Sequence, residues 1–577
     1  MAYNDSRFLP TSKKEMDALG WEQADVILFT GDAYIDHPSF GTAVIGRYLE
    51  KAGYKVAIVP QPNWRDDLRD FKKLGKPKLF FGVSAGAMDS MVNHYTAGKR
   101  LRSNDAYTAD GKSGQRPDYA VTIYSTILKR LYPEIPVVIG GIEASLRRFT
   151  HYDYWQDKLL PSVLVSSEAD ILVYGMGERP MLMISDMLSA GESLDSVKHV
   201  PQVAYLSKNK PVENDVDTIY LNSHELQCEA KIKFVENFNI IENQSNILKP
   251  LKLVEKIGNL YNIVNPPFPL PTTEETDSFF DLPFTRQPHP RYKGKHIPAF
   301  EMIKNSVNIH RGCFGACSFC TISAHQGKFV YSRSEKSVLQ EIEQISSQDD
   351  FNGVLTDIGG PTANMYKMRG KDLSICEKCK RESCIYPNLC KNLDNSHAPM
   401  LNLYDKILKV KGIKRFFIGS GIRYDLFLNE NGYTDSDGNK YLKEVIEKHT
   451  SGWFKVAPEH TEERVLKAMG KPSFKLFEKL KFEFDKITTS NRLNHVIVPY
   501  FISSHPGCNS EDMKRLALNP VLKNIRTEQV QDFTPTPMTR SSVAFYSGID
   551  PKTLKNIFVE RDLKKKQQQK SFFYKKN

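Results

Sequence analysis

The sequence predicts an α/β protein in which a doubly wound, Rossmann-like sheet is followed by a second block of strands alternating with helices. Three observations carry this. Short apolar runs closed by glycine recur between residues 24 and 178, and a second series of six recurs between residues 305 and 537. The length of 577 residues suits two to four domains rather than one core.

The first block opens with ADVILFTG, an apolar run ending at Gly31. Ile45, Tyr48, Leu49 and Ala52 then recur at helical spacing before KVAIVPQP supplies another strand, which is a βαβ unit. PKLFFGVSAG, IPVVIGGIEAS and ADILVYGMGE continue the alternation, so residues 1–195 are read as one Rossmann-like region with its working loops at the carboxyl edge of the sheet. Over residues 196–295 the periodicity weakens. A helical stretch near Ile232–Ile241 leads into the proline-rich NPPFPLP and DLPFTRQPHP. Proline fixes extended backbone and interrupts helices, so this stretch is expected to be a connector partly wrapped on a domain surface.

Residues 296–550 form the second block. Its apolar segments are NSVNIHRG, FNGVLTDIGG, IKRFFIGSGIR, SGWFKVAPEH, NHVIVPYFISSHPG and EQVQDFTPTP, with charged helical stretches such as SEKSVLQEIEQI and EERVLKAM between them. That alternation indicates a β/α barrel or an open parallel sheet. In both, chemistry sits at the carboxyl ends of the strands, where Cys313, Gly359, Gly360, Ser420, Arg423 and His460 fall. A cysteine-rich insertion spans residues 370–397, and residues 551–577 form a basic tail.

Hydrophobic residues make up 40% of the chain and charged residues 25%, a soluble globular balance that rules out collagen-like, mucin-like and wholly disordered classes. No run approaches the roughly 18 consecutive apolar residues of a membrane span. The start, MAYNDSRFLPTSKKEMDALG, has no apolar signal-peptide core, so a cytoplasmic location with no membrane partner is expected. Of the net charge of +11, Arg561–Asn577 carries +6, being seven basic residues against one acidic. A solvated, frayed terminus is the plain expectation for that tail, and its charge leaves nucleic acid open as a partner. The aromatic and basic interleaving of RNA-binding modules is missing.

Seven of the nine cysteines lie between Cys313 and Cys390. In a reducing cytosol clustered cysteines read as metal ligands before disulfides. Cys313, Cys317 and Cys320 form C-x3-C-x2-C in RGCFGACSFC, where Gly315 and Ala316 let the backbone curl. Three thiolates on one loop can each hold one iron of a cubane cluster and leave a fourth iron open to substrate. The alternatives are a zinc site completed by His310 or His325, and three plain core cysteines.

At these residues the chain resembles the radical S-adenosylmethionine (SAM) superfamily. DLPFTRQPHP, IPAFEMIKNSVNIHRGCFGACSFCTISAHQGKFVYSRS, DIGGPTANMY, VAPEHTEERVLKAMGKP and IGGIEASLRR are similar to the YgiQ family within it, over about residues 20 to 550. The resemblance implies a cobalamin-domain-like amino-terminal region and a partial six-stranded radical SAM barrel. It implies a 4Fe-4S cluster on Cys313, Cys317 and Cys320, with Phe319 beside adenine. Gly359 and Gly360 match the SAM-amine glycines, with Thr362 and backbone carbonyls standing in for the usual acidic residue of that motif. Ser420 and Arg423 are similar to polar residues that hold the SAM ribose and carboxylate. Reductive cleavage of SAM to methionine and a 5′-deoxyadenosyl radical, hydrogen abstraction from an unidentified substrate, and a low-potential electron donor such as flavodoxin or ferredoxin are implied with it.

Three further patterns have the form of functional sites. Cys376, Cys379, Cys384 and Cys390 form C-x2-C-x4-C-x5-C among Lys378, Lys380, Arg381 and Lys391, which suits a second metal site holding an iron-sulfur cluster or zinc. With the basic tail, zinc there would make a nucleic-acid-binding protein the competing function. Gly82, Ser84 and Gly86 spell G-x-S-x-G, the form of a serine hydrolase nucleophile elbow. In GDAYIDHPSFG, Asp36 and His37 resemble a cobalamin-ligating D-x-H-x-x-G, and Gly140 with Gly141 that fold's later glycine pair. His37 directly follows Asp36 and lies four residues before Gly41, so cobalamin is not expected and the region is read as a platform for substrate or partner.

Overall fold

The computed structural model describes residues 8–211, 217–523, 525 and 530–573. Its amino-terminal half is one nine-stranded sheet. In spatial order the strands are Val56–Pro60, Val26–Thr30, Phe80–Ser84, Val137–Gly140, Ile171–Val173, Val203–Ser207, Leu260–Val264, Lys252–Ile257 and Thr218–Tyr220. The first five are parallel and coincide with the five apolar runs of the first block. Nearly all of their residues are buried, as continuous apolar strands of a covered parallel sheet must be. The order reverses between Val26–Thr30 and Phe80–Ser84, which opens a crevice at the carboxyl edge.

The expected connector differs from the structure. Residues 196–295 contribute four strands to the same sheet, joined through antiparallel pairing of Val203–Ser207 with both Ile171–Val173 and Leu260–Val264. Their polar residues hid them. Glu255 is buried in strand Lys252–Ile257, where it accepts from Thr150 N at 3.0 Å and Gln227 Nε2 at 2.7 Å. The proline-rich 281–290 segment does wrap. Arg286 N donates to Asp36 O and Asp36 N to Gln287 O. The Arg286 guanidinium continues to Ser306 O at 2.7 Å and to Glu341, tying the sheet half to the second half.

That second half is a partial β/α barrel whose six strands follow chain order, at Ser306–Asn308, residues 354–359, Arg415–Phe416, Trp453–Glu459, Val496–Ser503 and Val530–Asp532. Their pairings are parallel, and Ile358 N donating to Phe417 O joins the second strand to the third. Every strand lies in a segment marked by the sequence. Helix Glu335–Ser346 shows why the pattern was readable: Ser334 caps it by accepting from Ser337 N, and Val338, Ile342 and Ile345 form one fully buried face. Burying each such side chain contributes roughly 1.5–3 kcal/mol.

The tail is corrected too. Leu563–Ser571 is a docked helix, in which Lys566 donates to Phe533 O at 3.1 Å and Gln569 accepts from Ser504 N and Oγ at 3.0 Å each. Lys566 and Gln569 are buried, so this helix is held by polar contacts instead of an apolar stripe, which is why composition suggested a solvated end. Residues 574–577 lie outside the described part. Among the described residues no helix is long and apolar enough to cross a membrane.

Candidate functional site

The cysteine triad lies on the loop after the first barrel strand. Gly312 and Ala316 take left-handed backbone there, with φ of +82° and +51°. A Cβ on Gly312 would stand 2.1 Å from Phe329 O, so that turn accepts only glycine. The loop is anchored by Cys313 N donating to Gly327 O and Ser318 N to Met469 O. All three thiols are half-buried. Burial and the neighbouring sulfurs push the Cys320 thiol up to about 12 and raise Cys313 as well, while the Arg423 guanidinium acts in the opposite sense on Cys313.

Several residues anticipated from the sequence converge here. Arg423 Nη1 lies 3.1 Å from Cys317 Sγ, and Thr362 Oγ1 lies 3.6 Å from Cys313 Sγ. Arg423 is also closed on Asp425 by two hydrogen bonds of 2.9 and 2.6 Å. Gly315 lies directly beneath it, and a Cβ there would meet Arg423 Nη1 at 2.7 Å and push the guanidinium aside. Gly359 packs on Ser420, and Gly360 on the ring of His310. Phe319 meets the His505 ring edge-on at 6.1 Å. The Ser420 hydroxyl is donated to Asp357 Oδ2 at 2.5 Å, so it supports the loop instead of standing open.

Sequence reasoning missed Asp357, which also accepts from Gly419 N at 2.8 Å and Ser420 N at 3.3 Å. Its position two residues before the Gly359–Gly360 pair was the available signal. Glu459 was missed as well. It is buried, its carboxyl is raised by burial against the pull of Lys471 and Arg423, and its backbone is left-handed with φ of +69°. His460, marked at the same strand end, is instead a buried partner of Cys508, with Nε2 3.4 Å from its sulfur.

The second cysteine group packs directly on the triad loop. Cys384 N donates to Phe314 O at 3.1 Å, and Ser383 Oγ to Phe314 O and Gly315 O at 3.0 Å each. Lys328 is buried near Cys376, Cys379 and Cys384 and donates to Asn246 O and Arg381 O. Burial pushes the Cys384 thiol up to about 11 against the pull of Lys328. Among the described residues no three His, Cys, Asp or Glu side chains are gathered tightly enough to hold a single metal ion.

A cavity of about 490 Å³ separates the two halves. The carboxyl edge of the sheet contributes Asp32, Ser84, Gly141 and Gly177, and the barrel contributes Asn308, His310, Arg311, Gly360 and Pro361. His310 is buried with neither ring nitrogen hydrogen-bonded, and burial lowers its pKa to about 3, so the ring is neutral. Ser84 Oγ lies 3.4 Å from Thr42 Oγ1, and no histidine is hydrogen-bonded to it among the described residues, which removes the base a hydrolase elbow needs. Neither Asp36 nor His37 lines the cavity. Asp36 is committed to Arg47, and His37 Nδ1 accepts from Ser39 N at 3.1 Å.

The family model described as Radical SAM N-terminal matches residues 8–306, so the class is that of the radical SAM proteins. The chain is 56% identical over 575 residues to a UPF0313 protein of Porphyromonas gingivalis, covering 98% of this chain and 90% of that one. To the UPF0313 protein YgiQ of Escherichia coli (strain K12) it is 42% identical over 603 residues, covering 95% and 80%. The chain belongs to the UPF0313 family, which includes YgiQ. Among solved structures, the radical SAM methyltransferase TsrM from Kitasatospora setae, with cobalamin and a [4Fe-4S] cluster bound, aligns with a TM-score of 0.49 at 13% identity, covering 91% of this chain and 78% of that one. The cobalamin-dependent enzyme OxsB, with aqua-cobalamin and SAM bound, aligns with a TM-score of 0.49 at 11% identity, covering 92% and 56%.

Proposed function

We propose that the chain is a radical SAM enzyme whose cluster is held by Cys313, Cys317 and Cys320. The observation that carries this is the set of three thiols on one curled loop at the barrel mouth, with Arg423 against one sulfur and Thr362 near another. Donor chemistry fits a cubane, because three thiols on one loop can each meet a different iron and leave the fourth open. When bound, such a cluster with an open iron supplies the electron that cleaves SAM to methionine and a 5′-deoxyadenosyl radical.

The protein's own groups then have distinct work. Arg423 offsets thiolate charge while Asp425 fixes its orientation. Asp357 sets the Gly419–Ser420 turn, and Gly359, Gly360, that turn and Phe319 frame the SAM site. Substrate occupies the inter-half cavity, whose wall includes neutral His310. The electron comes from a low-potential carrier such as flavodoxin or ferredoxin.

Cys376, Cys379, Cys384 and Cys390 form a second metal site in this reading. The support is Lys328, a buried cation that feels the sulfurs of Cys376, Cys379 and Cys384, which thiolates on a metal would neutralise.

Anaerobically purified protein tests the main reading. Iron, sulfide and zinc are assayed in the wild type and in a Cys313→Ala, Cys317→Ala, Cys320→Ala variant, and reduced protein is assayed for 5′-deoxyadenosine. Iron lost with the triad and 5′-deoxyadenosine formed by the wild type are expected. Zinc on the triad without iron would sink the proposal.

A further inference from the structure

Arg147 and Arg148 are adjacent, buried and differently provided for. Arg147 is paired with Asp89. Arg148 is 4% exposed, yet among the described residues no carboxylate lies within ion-pair distance of it. Its Nη1 donates to Ser145 O at 2.7 Å, while its Nε has no partner. The guanidinium lies 4.8 Å from the centre of the Tyr174 ring, a contact that leaves the charge uncompensated. A buried unpaired charge is strongly destabilising, so it is kept where something outside the chain pairs with it.

Arg148 lines a second cavity, of about 180 Å³. Among the described residues, the cations in its wall are Arg148, Arg179 and Lys328, and the only carboxylate there, Glu178, is already spent on Arg311 at 2.6 Å. His325 also lines it and is held neutral, near pKa 4, by burial and by Arg148 itself. This cavity shares Gly175, Met176, Glu178, His325 and Gln326 with the larger one that holds His310. The proline-rich Pro266–Pro271 stretch also lines the cavity, and its side chains are apolar and supply no countercharge.

We infer that this cavity is an anion subsite in which Arg148 binds a phosphate or carboxylate group of the substrate. The assignment rests on the radical SAM reading for the word substrate and on geometry alone for the anion. Arg148 would hold the charged end while the rest of the molecule extends past His325 into the larger cavity, toward Gly360. A fork of donors on one planar group suits either oxyanion.

The test uses the full-length protein and two probes, inorganic phosphate and acetate, against chloride at matched ionic strength. One of the probes is expected to raise the wild-type melting temperature saturably, by a few degrees, and the one that does so names the source of the charge. Arg148→Met is expected to abolish the shift and, without anion, to melt above the wild type because the unpaired charge is gone. No shift in the wild type with either probe, or an equal shift in Arg148→Met, would overturn the inference. Equilibrium dialysis of radiolabelled phosphate and acetate against the wild type covers the case of a variant that does not fold: saturable binding supports the site and none for both removes it. Iron and 5′-deoxyadenosine assays on the wild type are independent of these readouts. Their failure beside a surviving anion shift would remove the radical SAM reading and leave the site, and the reverse would remove the site alone.

Discussion

The guanidinium of Arg423 touches Cys317 Sγ at 3.1 Å with one nitrogen while its opposite edge is closed on Asp425, so a single half-buried side chain links the triad to a fixed carboxylate. Cation, thiol and carboxylate form one electrostatic unit. Changing any member alters the others.

Arg423→Met should therefore destabilise the fold, at most by the roughly 3–5 kcal/mol of a fully buried broken pair, since it strands the half-buried Asp425. Adding Asp425→Asn should recover part of the loss. Denaturant unfolding measures both. Removing the cation should also move the cluster's midpoint potential to more negative values, read by spectroscopic redox titration.

Asp357→Ala removes the acceptor of three hydrogen bonds from the Gly419–Ser420 turn. Bonds to a charged group are worth about 1.5–3 kcal/mol each, so SAM affinity should fall about tenfold or more while the triad keeps its iron. Equilibrium binding of SAM beside an iron assay separates the two effects. Equal loss of iron would mean that Asp357 supports the triad instead.

His310 carries a pH signature. Its folded pKa is about 3, and the unfolded value is about 6.5. Between these the unfolded chain binds a proton that the native state does not, so this stability is present above the unfolded pKa and is lost as pH falls. Near pH 5 the slope from this one group is about 1.4 kcal/mol per pH unit. His310→Leu should flatten the stability–pH curve by that amount and abolish substrate-dependent turnover. An unchanged slope would refute the buried, neutral assignment.

Gln569→Ala removes the acceptor for Ser504 N and Oγ, leaving a buried backbone donor unpaired, and should cost about 1–3 kcal/mol. Deleting residues 563–577 should cost more, because Lys566 is lost with it. Thermal melts of both variants check the docked tail, and wild-type stability in the deletion would restore a solvated one.

With the triad replaced by alanine, the second cysteine group is expected to retain metal. About four irons per chain would identify a cluster and about one zinc a tetrahedral site. Neither, in reconstituted protein, would leave the four cysteines as a metal-free loop.

The sequence by itself marked the parallel strands of both halves and the spacing of the three cysteines, but not the four strands of residues 196–295. Buried parallel strands must be nearly continuous apolar runs, so ADVILFTG or NHVIVPYFISSHPG announces itself locally. Cys313, Cys317 and Cys320 share one loop, so their spacing alone carries the chemistry. Tertiary structure decided what pairs across the chain. Arg423 meets Cys317 over 106 residues, Asp357 meets Ser420 over 63, and Gln569 meets Ser504 over 65. It also decided that Glu255 lies inside a strand, that the Lys-rich tail docks, and that Arg148 lacks, among the described residues, the carboxylate its neighbour Arg147 has. An isolated polar residue carries almost no local signal, because its meaning is fixed by whichever partner or cavity the fold brings to it, and only the packed chain specifies that.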